Sequence, residues 1–142
     1  MTAPTALPPE LSGAYRVLDG ADGRVVLLAG RRGPEGALTF PRRAWSADAP
    51  EPAEPIEVAG TGRVYAHTLV CVKPPYGLPT PYAVGYVDID GTGLRVFGLF
   101  DPQSLDALAP GLRVELVARN LGVGNDGKDC LRPVFRRLED AA

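Results

Sequence analysis

Gly60-Thr61-Gly62-Arg63-Val64-Tyr65-Ala66-His67-Thr68-Leu69-Val70-Cys71-Val72 is a long run of β-branched, aromatic and apolar residues. Two glycines open it and Lys73-Pro74-Pro75 closes it. Strict alternation puts Val64, Ala66, Thr68 and Val70 on one face and Tyr65, His67, Leu69 and Cys71 on the other. Both faces are largely apolar, so the strand is expected to be covered on both sides for part of its length. Glycines at the start of such a strand mark a sharp coil or bulge of the kind found at barrel corners. The stretch reads as the first strand of a small closed barrel.

Downstream, Tyr82–Ile89 and Leu94–Phe100 form an expected hairpin across Asp90-Gly91-Thr92-Gly93. Asp101 is a helix N-cap followed by Pro102 at the first helical position, and Pro110-Gly111 is the stop, which predicts one short helix. Leu112, Val114 and Leu116 alternate with Arg113 and Glu115 as a half-buried strand. Leu121–Asp129 is a glycine-rich turn, and Cys130–Leu138 is the last strand, with Pro133 pointing to an edge or a bulge. Periodicity thus supports a small β-barrel. Five strands with a helix between the third and fourth is the order of an OB-fold, one of the topologies this pattern admits.

Upstream, Val25-Val26-Leu27-Leu28 and Ala37-Leu38-Thr39-Phe40 are expected strands joined through Gly33-Pro34-Glu35-Gly36. Val26, Leu28, Leu38 and Phe40 are the expected packing residues of that hairpin, with Trp45 beside them. Ser46–Pro55 is crowded with prolines and acids and reads as a linker, with the barrel pattern starting at Ile56. The expected units are a lead over 1–23, the hairpin and linker over 24–55, and the barrel over 56–138.

The 142 residues suit one domain with an appendage. Apolar residues at 45% and charged residues at 23% describe a soluble globular protein, and a net charge of −2 gives no reason to seek polyanions. The N-terminal residues show no signal peptide, and no apolar run approaches the roughly 18 residues of a membrane helix. Cys71 and Cys130 are expected as two buried thiols in a reducing cytoplasm.

Gly60-x-Gly62-x-Val64-Tyr65, Pro81-Tyr82-Ala83-Val84, Leu94-Arg95-Val96, Gly111-Leu112-Arg113-Val114-Glu115 and Pro133-Val134-Phe135-Arg136 follow one another in an order that resembles the acyl-CoA-associated zinc-ribbon/OB-fold family. Members of that family are small subunits found beside thiolase-like enzymes. The resemblance spans roughly residues 25–137 and implies a rubredoxin-like ribbon followed by an OB barrel. It also implies a non-catalytic role in a hetero-oligomer, where the barrel helps form the partner's acyl-CoA channel.

The ribbon departs from the family pattern. Phe40-Pro41-Arg42-Arg43 and Gly36 are kept, but the four ligand positions fall on Arg32, Glu35, Ser46 and Ala49. Structural zinc takes four thiolate or imidazole ligands, so a degenerate, metal-free ribbon is expected. No cofactor is expected to bind stoichiometrically, and the coenzyme A thioester is the partner's substrate.

Arg31, Arg32, Arg42 and Arg43 lie at both ends of the hairpin. They read as a solvated rim or, functionally, as contacts to an acidic partner or to the phosphates of coenzyme A, which guanidinium groups grip in a bidentate way. Phe40 and Trp45 are the expected partner anchors. The rival reading is a free-standing OB module for single-stranded nucleic acid, with Tyr65, Tyr76, Tyr82, Tyr86 and Phe97 as stacking residues. Gly122-Val123-Gly124-Asn125-Asp126-Gly127 spells a dinucleotide motif but precedes a strand, so it reads as a hairpin turn. His67 has no carboxylate placed behind it and reads as a packed strand residue, so no catalytic set is assigned.

Overall fold

The computed structural model describes residues 7, 8, 11, 13–18, 23–31, 38–40, 54–72, 75–124 and 126–138. Nine strands are built from them: β1 (Tyr15–Val17), β2 (Val25–Arg31), β3 (Leu38–Thr39), β4 (Glu54–Ala59), β5 (Thr61–Val70), β6 (Tyr82–Ile89), β7 (Arg95–Leu99), β8 (Arg113–Val123) and β9 (Asp129–Arg137). Short 3-10 turns cover Pro75–Gly77 and Pro102–Ala107. Among the described residues no helix is long and apolar enough to cross a membrane.

The second half of the chain is one five-stranded antiparallel sheet in the order β7-β6-β5-β8-β9. Its ends approach each other through a parallel bridge between Phe100 and Phe135, where the Asp101 N–H donates to the Phe135 carbonyl at 2.9 Å. Numbered from β5, the first strand pairs with the second and fourth, and the third meets the fifth. That is the OB order, with the 3-10 turn Pro102–Ala107 between the third and fourth strands.

Gly62 makes the corner. It pairs with Ile89 of β6 on one edge and Val114 of β8 on the other. A Cβ there would lie 2.2 Å from the Asp88 carbonyl oxygen, so only glycine lets the strands come this close. The bulge falls three residues later. Val64 opposes Val87 and Ala66 opposes Tyr86, leaving Tyr65 as the extra residue.

That bulge overturns the expected faces of β5. Beyond it His67 opposes Gly85 and Leu69 opposes Ala83, so these two residues, not Ala66, Thr68 and Val70, continue the face of Val64. The expectation of cover on both faces fails as well, because Tyr65, His67 and Leu69 are exposed. β5 is paired with β8 only over Thr61–Arg63, so its later half has β6 as its one neighbour strand. Cys71 follows the end of β5 and is exposed, contrary to expectation, whereas Cys130 in β9 is buried.

The first strands join the same core. β1 and β3 lie along one edge of β2, and β4 pairs along the other from Val26↔Ala59 to Arg31↔Glu54. β4 therefore begins two residues before the expected Ile56. It tolerates Pro55 because it has a strand neighbour on one side only. Val25, Leu27 and Ala29 are buried in one cluster with Val64, Val87, Val96, Phe100, Val114, Leu116, Leu131 and Phe135. The packing face of β2 is thus the reverse of the expected Val26 and Leu28. Leu38 and Phe40 do pack against this cluster, each partly buried.

Local signals hold closely elsewhere. Asp101 Oδ1 accepts from the Gln103 N–H at 3.2 Å ahead of Pro102, although the turn is 3-10 and not a longer helix. Gly91 and Gly93 take positive φ in the β6–β7 turn. β8 runs on to Val123, and the Gly124 N–H donates to the Lys128 carbonyl at 2.9 Å, so the glycine motif is a hairpin turn. Pro133 lies on β9, the last strand of the sheet.

Candidate functional site

The outer face of β5, β6 and β7 is organised by register. Arg63, Asp88 and Arg95 form one row across it, Ala66, Tyr86 and Phe97 the next, and Thr68, Val84 and Leu99 a third. Tyr86 and Phe97 meet edge to face, with centroids 5.3 Å apart at 65°. The bulge turns Tyr65 toward the same area, where the Arg95 guanidinium carbon lies 3.4 Å from its ring centroid. Tyr65, Tyr86 and Phe97 remain 51%, 45% and 55% exposed. Aromatic side chains left this open beside one another mark an interaction surface more than a packing defect.

The charges beside the rings are engaged. Arg95 Nε donates to Asp88 Oδ1 at 2.7 Å, and that bond is the main reason its pKa is raised. Arg113 Nη1 lies 2.8 Å from Asp90 Oδ2. The face therefore offers aromatic and aliphatic surface whose charges are mostly paired, with exposed Arg63 beside them, and among the described residues it has no nucleophile–base pair. Among the described residues there is no group of three or more His, Cys, Asp or Glu able to hold a metal ion.

The expected site residues divide. Arg31 ends β2, half-buried, with Leu38 and Glu54 as its register partners. Phe40 packs edge-on to Tyr15 at 5.5 Å and contributes to the core, so its ring is partly committed to the fold. Arg32, Arg42, Arg43 and Trp45 lie outside the described residues, as do positions 35, 46 and 49. His67 is exposed on β5 and not packed. The tyrosines of the rival reading are distributed: Tyr65 and Tyr86 join Phe97, Tyr82 is half-buried at the start of β6, and Tyr76 is exposed in the β5–β6 connection. Sequence reasoning missed a cleft on β8 and β9 altogether, because its residues come from three separate segments.

Strand order, corner glycine and barrel closure define the class as an OB-fold. Residues 55–119 match the family model for the ChsH2 C-terminal OB-fold domain. That match supports the resemblance of this stretch to the acyl-CoA-associated OB-fold family. Among solved structures, the chain is similar to one described as "Ltp2-ChsH2(DUF35) aldolase", with a TM-score of 0.60 and 24% identity over 79% of this chain and 84% of that one. At that identity the likeness is one of fold. No curated protein matches the chain.

Proposed function

We propose that this chain is a non-catalytic accessory subunit of a thiolase-like, acyl-CoA-processing enzyme. It docks on that enzyme and helps form its acyl-CoA channel. The observation that carries the reading is the exposed Tyr65–Tyr86–Phe97 face, which has the composition of an interface hot spot and no catalytic group of its own. The family match of the barrel supports it, as does a fold neighbour whose description pairs ChsH2 with Ltp2 in an aldolase. In this reading the partner supplies the nucleophile and the acid/base groups, and the complex works in the cytoplasm. Arg31, Arg32, Arg42, Arg43 and Trp45 form a second contact zone toward the partner or the coenzyme A phosphates. No zinc is bound, because Arg32, Glu35, Ser46 and Ala49 cannot supply a thiolate set.

The test is co-expression with a thiolase-like protein encoded nearby. Wild-type chain should co-purify with it and raise its acyl-CoA turnover, while Phe97→Asp should lose both. Failure of the wild-type chain to associate, or full association by the variant, overturns the reading. Elemental analysis showing about one zinc per chain would overturn the metal-free ribbon separately.

One observation favours a second reading. The aromatic rows lie on the second and third barrel strands, the face with which OB-folds bind single-stranded nucleic acid. Its weakness is electrostatic: Asp88 and Asp90 tie up Arg95 and Arg113, which leaves Arg63 as the one cation of that row outside an ion pair among the described residues, too little for a phosphate track.

A further inference from the structure

The other end of the sheet carries a feature that the docking reading does not use. Register sets Glu115 opposite Arg136 and Val117 opposite Val134 on β8 and β9, and Arg119 lies two residues beyond Val117 on the same side. Val117 and Val134 are fully buried. Beside them a cleft of about 530 Å³ opens between the two strands and the 3-10 turn Pro102–Ala107. Asp101, Ser104, Glu115, Arg119, Arg136 and Arg137 line it.

Two of the three guanidinium groups are anchored from below. Asp101, only 2% exposed, holds Arg119 Nη2 at 3.2 Å from its Oδ2. Glu115 Oε1 accepts from Arg136 Nη2 at 2.6 Å. The third is anchored through its backbone: the Arg137 N–H donates to the buried Ser104 Oγ at 3.0 Å, and its exposed side chain makes no ion pair with the described residues.

A buried carboxylate is costly, and its ion pair seldom repays that cost as stability. What Asp101 and Glu115 do achieve is orientation. A guanidinium has five N–H donors in a rigid fork, and the Glu115 contact at Arg136 engages only part of that fork. Among the described residues that line the cleft, three guanidinium groups face two carboxylates. The volume lies within the roughly 300–1,000 Å³ typical of small-molecule sites.

We propose that this cleft binds a small oxyanion ligand, a molecule carrying a phosphate or carboxylate group. Arg136 and Arg137 contact the oxyanion, and Asp101 and Glu115 are positioning residues that aim the Arg119 and Arg136 forks. The inference stands apart from the accessory-subunit reading and does not depend on a partner.

The experiment is a titration of the isotopically labelled full chain with inorganic pyrophosphate and, separately, with succinate, at constant ionic strength. Saturable shifts are expected in the arginine Nε–Hε signals of residues 119 and 136 and in the amides of Ser104 and Arg137. The ligand that saturates identifies phosphate or carboxylate as the source. Arg137→Gln should weaken binding about tenfold, equal to about 1.4 kcal/mol, with an unchanged melting temperature. Asp101→Asn should mobilise the Arg119 signal. If Asp101→Asn does not fold, Arg137→Gln still decides the matter, since its exposed side chain makes no ion pair with the described residues. Shifts no different from those given by chloride, or saturable binding untouched by Arg137→Gln, would overturn the proposal.

Discussion

The Arg95 guanidinium carbon lies 3.4 Å from the centroid of the Tyr65 ring, while Arg95 Nε donates to Asp88 Oδ1 at 2.7 Å. Three strands meet in this arrangement. Tyr65 is the bulged residue of β5, Asp88 is on β6 and Arg95 is on β7. A bulge re-aims one side chain relative to its neighbours, and here it turns an aromatic ring toward a cation from two strands away. Held between a ring and a carboxylate, Arg95 cannot sweep the surface for phosphates. It stiffens a face whose remaining offer is Tyr86 and Phe97.

Phe97→Asp should separate binding from folding. Phe97 is 55% exposed, so its replacement should leave stability within about 0.5 kcal/mol of wild type. An aromatic anchor at an interface centre is worth about 2 kcal/mol or more. Thermal unfolding and co-purification with a thiolase-like protein check the two halves. A large drop in melting temperature would make Phe97 a fold residue and withdraw the assignment.

How far the sequence was legible follows from the range of each signal. The Asp90–Gly93 turn, the Asp101-Pro102 cap and the glycine pair at 60 and 62 depend on local backbone chemistry, and each lies where it was expected. The bulge at Tyr65 could not be read, because period-2 alternation has no mark for one extra residue. Nor could the face of β2 be chosen: Val25-Val26-Leu27-Leu28 is apolar at every position, so the answer waits on partners in β4 and β8. Asp101, Arg119 and Arg136 are charged residues far apart in the chain. Only the closing of β9 onto the 3-10 turn makes them one cleft.

Leu27 and Leu28 test the place of β2 in the core. Leu27 is fully buried, whereas Leu28 is half-buried and pairs with Glu57. Leu27→Ala should cost about 2–5 kcal/mol and Leu28→Ala about 1 kcal/mol or less by urea unfolding. Equal costs would mean that β2 does not share the barrel core. On the same grounds, deleting residues 1–55 should unfold the barrel, since it strips Val25, Leu27 and Ala29 from the core cluster. A soluble, cooperative fragment would contradict that.

Gly62→Ala should be among the more damaging small substitutions. Its Cβ would lie 2.2 Å from the Asp88 carbonyl oxygen, a backbone atom that moves only if β6 moves. Strain of this kind costs about 1–3 kcal/mol or more. Gly13→Ala, with nothing within 4 Å of the new carbon, is the control and should be near neutral. If Gly62→Ala melts like wild type, the corner is looser than the geometry implies.

Tyr15 predicts an alkaline limit. Burial raises its pKa above the ordinary 10.0, because its ionised form is poorly solvated beside Phe40. The folded state therefore keeps the proton longer than the unfolded state does. The stabilising difference is whole below the unfolded value near 10 and is lost as pH climbs through the raised folded value. Tyr15→Phe should flatten that alkaline loss while changing neutral stability by about 1 kcal/mol or less. Parallel pH profiles for the two proteins would show that Tyr15 does not govern the limit.

Single-stranded nucleic acid should not bind this barrel at physiological salt, despite rings on the face where OB-folds stack bases. Stacking contributes about 1–3 kcal/mol per base, but affinity for a strand is dominated by phosphate contacts. On this face Asp88 holds Arg95, and at its margin Asp90 holds Arg113, so of that row only Arg63 can meet a phosphate without breaking an existing pair among the described residues. The chain as a whole is acidic, with a net charge of −2, and steers polyanions away. Fluorescence anisotropy with a labelled oligothymidine is expected to show no saturation. Replacing Asp88 and Asp90 by Asn should free the two arginines and bring in weak, salt-sensitive binding, because the rings are already in place. Submicromolar binding by the wild-type chain, falling steeply with salt, would instead make the aromatic face a nucleic-acid platform and displace the docking assignment.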